Sequence, residues 1–175
     1  MTCASTTSPG KSGAGGGDVT PPGDIPDNQA FVAFIVPGGQ YSIKVPEGWA
    51  RTDAGAVTSF TDKLNTIRVE LRPSPGPPSV QSAQAQDVPA IAAANRCFEA
   101  PKVSTVSRRT GPAILVTYRA DSAPDPVTGK VIHDDVEQYQ FWKAGTEGVI
   151  TLSSPQGSDN VDPWRTVTDS FAWSA

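Results

Sequence analysis

The chain has 175 residues, and its 18 acidic side chains outnumber its 14 basic ones, which leaves a net charge of −4 at pH 7. This balance argues against nucleic acid as a partner, since a phosphate backbone requires a basic surface, and against simple electrostatic adsorption to an anionic bilayer. No apolar run in the sequence approaches the roughly 20 residues that a transmembrane helix needs.

The first 28 residues consist mostly of Gly, Pro, Ser and Thr and contain no aromatic side chain. Such a composition offers too little apolar surface to offset the entropy of ordering, so residues 1–28 are predicted to be a disordered tether. Residues 29–175 have the length of a single domain with a core of its own.

Cys3 stands at the head of this tether. That arrangement is typical of a mature bacterial lipoprotein, in which two or three acyl chains on the cysteine hold the protein firmly on a bilayer. We therefore expect Cys3 to be a lipid attachment site on the outer face of the cell membrane. Two alternatives stay open: an ordinary exposed thiol, and a disulfide with Cys97, the only other cysteine.

Two patterns in the tether resemble nucleotide-binding motifs but lack essential parts. Gly10-Lys11-Ser12 matches the end of a phosphate-binding loop, yet no glycine stands at the earlier required position and no strand precedes it. Gly13-Ala14-Gly15 lacks the third glycine of a dinucleotide fingerprint. The sequence therefore predicts no cofactor.

The first half of the domain alternates apolar and polar residues as β-strands do. Strands are predicted at 31–36, 41–45, 57–61 and 67–71, and the first two form a hairpin around Pro37-Gly38-Gly39. A proline-rich connection follows at 73–78. Ser79 then caps a helix that Pro89 breaks or restarts.

The second half contains four more predicted strands, at 103–107, 113–119, 131–142 and 148–152. Asn160 or Asp162 caps a closing helix, in which Trp164, Val167 and Phe171 recur at helical spacing and are assigned to the core. Runs of strands with helices set apart predict an α+β fold: an antiparallel β-sheet flanked by helices in an α/β/α sandwich.

One segment carries a family resemblance. The strand Tyr41-Ser-Ile-Lys-Val ends in Pro-Glu-Gly-Trp49, and a strand pair, a helix, four strands and a terminal helix follow. This motif and element order resemble the Mog1/PsbP-like fold. With Cys3 at its head, the whole chain resembles anchored lipoproteins of high-GC Gram-positive bacteria that carry this fold.

The resemblance implies binding and scaffolding rather than catalysis, since members of the fold dock on small GTPases or on photosynthetic membrane complexes. Their partner-binding residues have no recognisable counterparts in this sequence, so the resemblance extends to fold and class and not to a site.

The residues themselves contain no catalytic constellation. His133 is the only histidine, and no Gly-x-Ser-x-Gly elbow is present, so nucleophilic hydrolysis is not expected. His133, Asp135 and Glu137 share one face of a strand and are weak candidate metal ligands. The alternative is a solvated sheet edge, where charged side chains hinder aggregation.

The connection from Asp121 to Lys130 is long for a hairpin and rich in turn residues. Pro124 and Pro126 are expected to hold it partly preformed, which lowers the entropic cost of binding, while Asp121, Asp125 and Lys130 supply polar contacts. It is the candidate interaction loop. The alternative is a passive connection.

Together these features predict a membrane-tethered extracytoplasmic lipoprotein that serves the cell envelope as a non-catalytic interaction module. Its expected partners are the membrane, through the lipid, and another envelope protein. The alternative from a different class is a small-molecule or lipid carrier with an apolar pocket.

Overall fold

The computed structural model describes Cys3 and residues 23–174. The helices are α1 (Val80–Ser82), α2 (Val88–Ala94) and α3 (Val161–Ser170), and a π-helical turn at Ala83–Asp87 joins the first two. The strands are β1 (Phe31–Ile35), β2 (Tyr41–Pro46), β3 (Ala50–Ala54), β4 (Val57–Asp62), β5 (Asn65–Pro73), β6 (Glu99–Arg108), β7 (Gly111–Asp121), β8 (His133–Lys143), β9 (Thr146–Pro155) and β10 (Ala172–Trp173).

Two antiparallel sheets organise the domain. Seven strands form the large sheet in the order β3-β4-β5-β9-β8-β7-β6, while β1, β2 and β10 form a small one. The predicted hairpin is confirmed, because β1 and β2 pair from Phe31 opposite Pro46 to Ile35 opposite Ser42. The antiparallel sheet predicted from the alternating pattern is likewise present.

The main core lies between one face of the large sheet and the small sheet with α3. Ile67, Ile150 and Leu152 are fully buried on the large sheet, as period-2 alternation requires. Phe171, directly after α3, stacks on Phe141 at a centroid separation of 4.9 Å. Trp164, Val167 and Phe171 all lie in this core, as their helical spacing predicts.

The opposite face of the large sheet carries a smaller core beneath the helical segment 80–94. Ala83 is fully buried there against Val116, Tyr118 and Val136. Ser79 caps the segment as predicted, since its side chain accepts a hydrogen bond from the Ser82 amide. Pro89 stands in the first turn of α2, directly after the π-helical turn.

The predicted α/β/α sandwich needs correction, because the fold is dominated by its sheets. The hairpin of β1 and β2 does not extend the large sheet. It forms a separate sheet that shares one side of the domain with α3, against which β2 packs. The other side is covered only by the short helical segment 80–94, so helices cover a small part of either face.

The ordered domain begins before the predicted boundary at residue 29. Ile25 is buried in the main core, and Asn160 holds this stretch by accepting a hydrogen bond from the Ile25 amide and donating one to the Gly23 carbonyl, both at 2.8 Å. A single apolar residue among prolines and glycines leaves no periodic signal, which is why residues 23–28 read as tether. The rest of the predicted tether, apart from Cys3, lies outside the described residues.

Cys3 is bonded to Cys97, with a Cα–Cα distance of 5.5 Å across 94 positions of sequence. This is one of the alternatives that the sequence left open. Because a cysteine sulfur in a disulfide has no valence left for a thioether, the disulfide and a lipid on Cys3 exclude each other in one molecule. Within Cys3 and residues 23–174, no helix is long and apolar enough to cross a bilayer.

Candidate functional site

The loop between β7 and β8 is held in one conformation by its own hydrogen bonds. Its two ends are joined by the Ser122 amide donating to the Ile132 carbonyl at 2.7 Å. Asp125 shapes the tip, since its Oδ1 accepts from the amides of Val127 and Thr128, each at 2.8 Å. These bonds lower the pKa of Asp125 below its ordinary value. The loop is therefore preformed, by the Asp125 turn in addition to the prolines.

The tip of this loop projects into solvent. Val127 is 91% exposed, the highest value among the exposed large hydrophobic side chains of the described residues. Lys130 beside it is also exposed. An apolar side chain and a cation thus stand together on a preorganised surface.

The base of the loop is fixed by His133, the first residue of β8. Its Nδ1 lies 2.9 Å from Asp121 Oδ1, and its Nε2 lies 2.9 Å from Glu99 Oε1. Ionised carboxylates only accept hydrogen bonds, so satisfying both contacts requires both ring nitrogens to carry protons. Burial lowers the pKa of His133, but the hydrogen bonds to Glu99 and Asp121 outweigh it and raise that pKa above its ordinary value. Asp121 is therefore a framework residue of the loop.

The three weak metal candidates share a strand face but do not form a metal site. His133 is engaged by two carboxylates, and Asp135 pairs with Arg119 at 2.9 Å. Burial raises the pKa of Glu137, the third candidate. Among the described residues, no group of three or more potential ligands comes together. The proposed sheet edge is wrong as well, because β8 lies between β7 and β9.

A cavity of about 610 Å³ opens beneath the interaction loop. Its floor is the large sheet on the side of the helical segment 80–94, and its second wall is the turn between β4 and β5, with Lys63 and Leu64. All five residues assigned to the interaction loop line it: Asp121, Pro124, Asp125, Pro126 and Lys130. The sequence predicted this loop but not the space below it.

Asp134 in the floor of this cavity is the residue that sequence reasoning missed. It is only 7% exposed, and its Oδ1 has no hydrogen-bond partner within the described part of the chain. Burial, followed by the neighbouring carboxylates Asp135 and Asp121, raises the pKa of Asp134 to about 7, although His133 opposes the shift. The available signal was alternation along β8, which places Asp134 on the face opposite His133 and Asp135.

Thr151 of β9 is a second orphaned polar group in the same cavity. Its Oγ1 is buried and lacks a hydrogen-bond partner among the described residues. Between Thr151 and Asp134 the floor contains Tyr118, Val136 and Ser153, so it is apolar on one side and hydroxylated on the other. Buried polar atoms are usually satisfied, and two orphans in one cavity therefore point to a missing ligand or water.

Solved structures resemble this architecture at low sequence identity. The yeast (Saccharomyces cerevisiae) Ran-binding protein Mog1p aligns with a TM-score of 0.57 at 9% identity, over 83% of this chain and 96% of Mog1p. Cyanobacterial PsbP (CyanoP) of Synechocystis sp. PCC 6803 aligns with a TM-score of 0.56 at 16% identity, over 92% of this chain and 98% of CyanoP. The domain has a Mog1/PsbP-like fold.

A larger protein of Bacteroides thetaiotaomicron VPI-5482 also contains this Mog1/PsbP-like architecture. It aligns with a TM-score of 0.54 at 14% identity, over 82% of this chain but only 48% of its own length. No family model and no curated protein matches the sequence. At these identities the similarity establishes the fold alone.

Proposed function

We propose that this protein is an extracytoplasmic lipoprotein, tethered to the membrane through Cys3, that serves the cell envelope as a non-catalytic interaction module. The observation that supports this role best is the preformed loop between β7 and β8, with Val127 91% exposed at its tip. A loop already held by its own hydrogen bonds gives up little conformational entropy on docking.

The chemistry of Cys3 supports an extracytoplasmic location in either of its states. Structural disulfides persist in oxidising compartments, and the lipid-bearing cysteine of a mature bacterial lipoprotein lies outside the cytoplasm. In the anchored form, lipid replaces the bond to Cys97, which is then a thiol.

The fold neighbours are consistent with recognition as the activity. Mog1p is named a Ran-binding protein, and the loop of this chain offers an exposed apolar tip beside a cation. We propose that the partner is another envelope protein that buries Val127 and carries an acidic group opposite Lys130. Nucleic acid is not proposed, given the net charge of −4.

The alternative function is a small-molecule or lipid carrier. Its support is the cavity of about 610 Å³ beneath the loop, whose size is that of a ligand site. The mixed polar lining fits a polar small molecule better than an acyl chain, because a lipid would leave Asp134 and Thr151 without partners.

Affinity capture tests the interaction role. The purified full chain, carrying an affinity tag, is immobilised and exposed to detergent-solubilised envelopes, beside the variants Val127→Asp and Val161→Asp. Both positions are exposed valines, but Val161 starts α3, on the opposite face of the large sheet from the cavity beneath the loop. We expect one envelope protein to be retained by the wild type and by Val161→Asp and lost with Val127→Asp. Equal capture by all three, or by none, would contradict the proposal.

A further inference from the structure

Strand register sets the positions of the two unpaired polar groups in the floor of the cavity beneath the loop. Asp134 lies opposite Pro155 in the pairing of β8 with β9, whereas Thr151 lies opposite Gln138. The two orphaned groups are thus four ladder positions apart, which corresponds to about 13 Å along the strands. One small group cannot satisfy both, so a ligand that satisfies both is elongated.

The space between these two ends is partly apolar. Val136 stands opposite Ser153, and Tyr118 pairs with Val136 from the other side. Tyr118 and Val136 are both buried members of the smaller core and also line the cavity. An aliphatic segment suits this stretch, because it contacts the apolar half without leaving a polar group unsatisfied.

The two ends differ in the charge that they favour. Among the described residues, Asp134 Oδ1 is a buried acceptor without a donor. The carboxylates of Asp121 and Asp125 line the same cavity; Lys63 and Lys130 line it too, but both are exposed and neither bonds to this oxygen. Near Thr151, the only cation of the described residues that the register brings close is Arg68, which lies opposite it in the pairing of β5 with β9. A cationic donor is therefore matched to the Asp134 end, and a neutral hydrogen-bonding group to the Thr151 end.

We propose that this cavity binds an elongated organic cation, with an ammonium group on Asp134 Oδ1, an aliphatic middle over Val136, and a hydroxyl or similar neutral group at Thr151. The inference stands on the cavity and does not require the interaction role to be correct. A titration with small molecules and the capture of an envelope protein can each fail separately.

Ionisation of Asp134 couples this binding to pH. The pKa of Asp134 is about 7, and an ammonium ion binds the ionised carboxylate. Affinity should therefore rise about tenfold from pH 6 to pH 8, as the ionised fraction grows from about a tenth to about nine tenths. The charged groups around Asp134 are His133 and Asp135 on β8, Asp121 on β7, Asp125 and Lys130 on the loop, Lys63 on the β4–β5 turn, and Arg68 on β5.

The test uses 6-amino-1-hexanol as the probe and 1,6-hexanediol as its neutral isostere. Amide chemical shifts of the full chain are followed by NMR at pH 6 and pH 8. We expect the amino alcohol to shift amides of the cavity and to bind at least about tenfold more tightly than the diol at pH 8, the size of one charge-assisted hydrogen bond.

Substitutions at Asp134 and Thr151 test which residue binds each end of the probe. Asp134→Asn should remove both the preference for the amine and its pH dependence. Asp135→Asn, the same change on the opposite face, should keep both, with the pH dependence moved to lower pH because the charge of Asp135 helps to raise the pKa of Asp134. Thr151→Val should weaken 6-amino-1-hexanol but not hexylamine, which has no hydroxyl. Equal binding of amine and diol, retained preference in Asp134→Asn, or no shift at any soluble concentration would overturn the proposal.

Discussion

Asp134 shows how one buried side chain can set the pH response of a domain. Its carboxyl is nearly enclosed, its Oδ1 accepts no hydrogen bond within the described chain, and burial raises its pKa to about 7. The unfolded chain releases this proton near pH 4, so between pH 4 and 7 the folded state holds a proton that the unfolded state has lost. The free energy of unfolding therefore falls as the pH rises through this range.

His133 acts in the same direction for a different reason. Its pKa is raised in the folded state, so its contribution to stability is fully present below the ordinary histidine pKa and is lost as the pH rises through the higher folded value. The wild type should accordingly be less stable at pH 8 than at pH 5.

Replacing Asp134 by Asn should remove the larger part of this pH dependence. We expect Asp134→Asn to gain stability relative to the wild type as the pH rises from 5 to 8, by at most a few kcal/mol, because the amide cannot ionise. Urea unfolding at both pH values measures the difference. Asp135→Asn, where the wild-type side chain faces the other way and pairs with Arg119, should keep a pH dependence of the same sign, moved to lower pH because the charge of Asp135 helps to raise the pKa of Asp134. Parallel pH profiles for wild type and Asp134→Asn would show that the proton is not held there.

At the scale of elements, β9 depends on a glycine where α3 ends. A Cβ added at Gly148 would lie 3.0 Å from Phe171 Cζ and 3.1 Å from Trp173 Cη2, so the two rings occupy the space that a side chain would need. Phe171 is fully buried and stacked on Phe141, which limits how far it can move. Gly148 thus allows α3 and β10 to close over the sheet.

We expect Gly148→Ala to destabilise the domain by about 1–3 kcal/mol through overpacking. Gly76→Ala is the matched control, because a Cβ there meets no atom within 4 Å and the backbone is not in the left-handed region. Chemical denaturation of both variants measures the effect. Equal stability of the two would mean that the rings relax without cost.

The elements that the sequence predicted well are those that bury one face. β2 and the first part of β5 alternate buried residues with half-buried or exposed ones, and this alternation is visible in their sequences. β3 was not predicted, because all five of its residues are exposed and no apolar period marks it. β3 is a strand because its backbone pairs with β4.

The residues of the candidate site also differ in whether the sequence could predict them. The loop could be predicted, since its prolines, glycine and aspartates are local turn signals. Asp134 could not, because His133-Asp134-Asp135 reads as a charged run, and one wall of its cavity is the turn at Lys63 and Leu64, some 70 positions earlier. Turn residues can be recognised within a short stretch of sequence, whereas the burial of Asp134 by a segment far away in the sequence cannot.

At the scale of the whole molecule, the state of Cys3 decides how the protein is held. If Cys3 carries lipid, Cys3→Ser should release the protein into the medium, whereas Cys97→Ser should leave it in the membrane fraction. Cell fractionation shows whether each variant is released or retained, and intact-mass measurement shows whether it carries lipid.

If the disulfide is the only role of Cys3, the two variants should fractionate alike. Each should then lose about 2–5 kcal/mol of stability, the usual effect of removing a native disulfide. That result would contradict the lipid anchor and leave the fold and the loop untouched.

The close packing of Gly23 marks the end at which the chain enters the ordered domain. The chain enters beside Pro155 and Ser158, and the amides of Gln156 and Gly157 bond to His133 and Asp135 at the start of β8. This is the end that carries the 121–132 loop. The chain from Cys3 to Gly23 spans at most about 70 Å when fully extended. In a molecule held by Cys3, the connection therefore joins the domain at the end that carries this loop, and the β8–β9 turn lies at the far end.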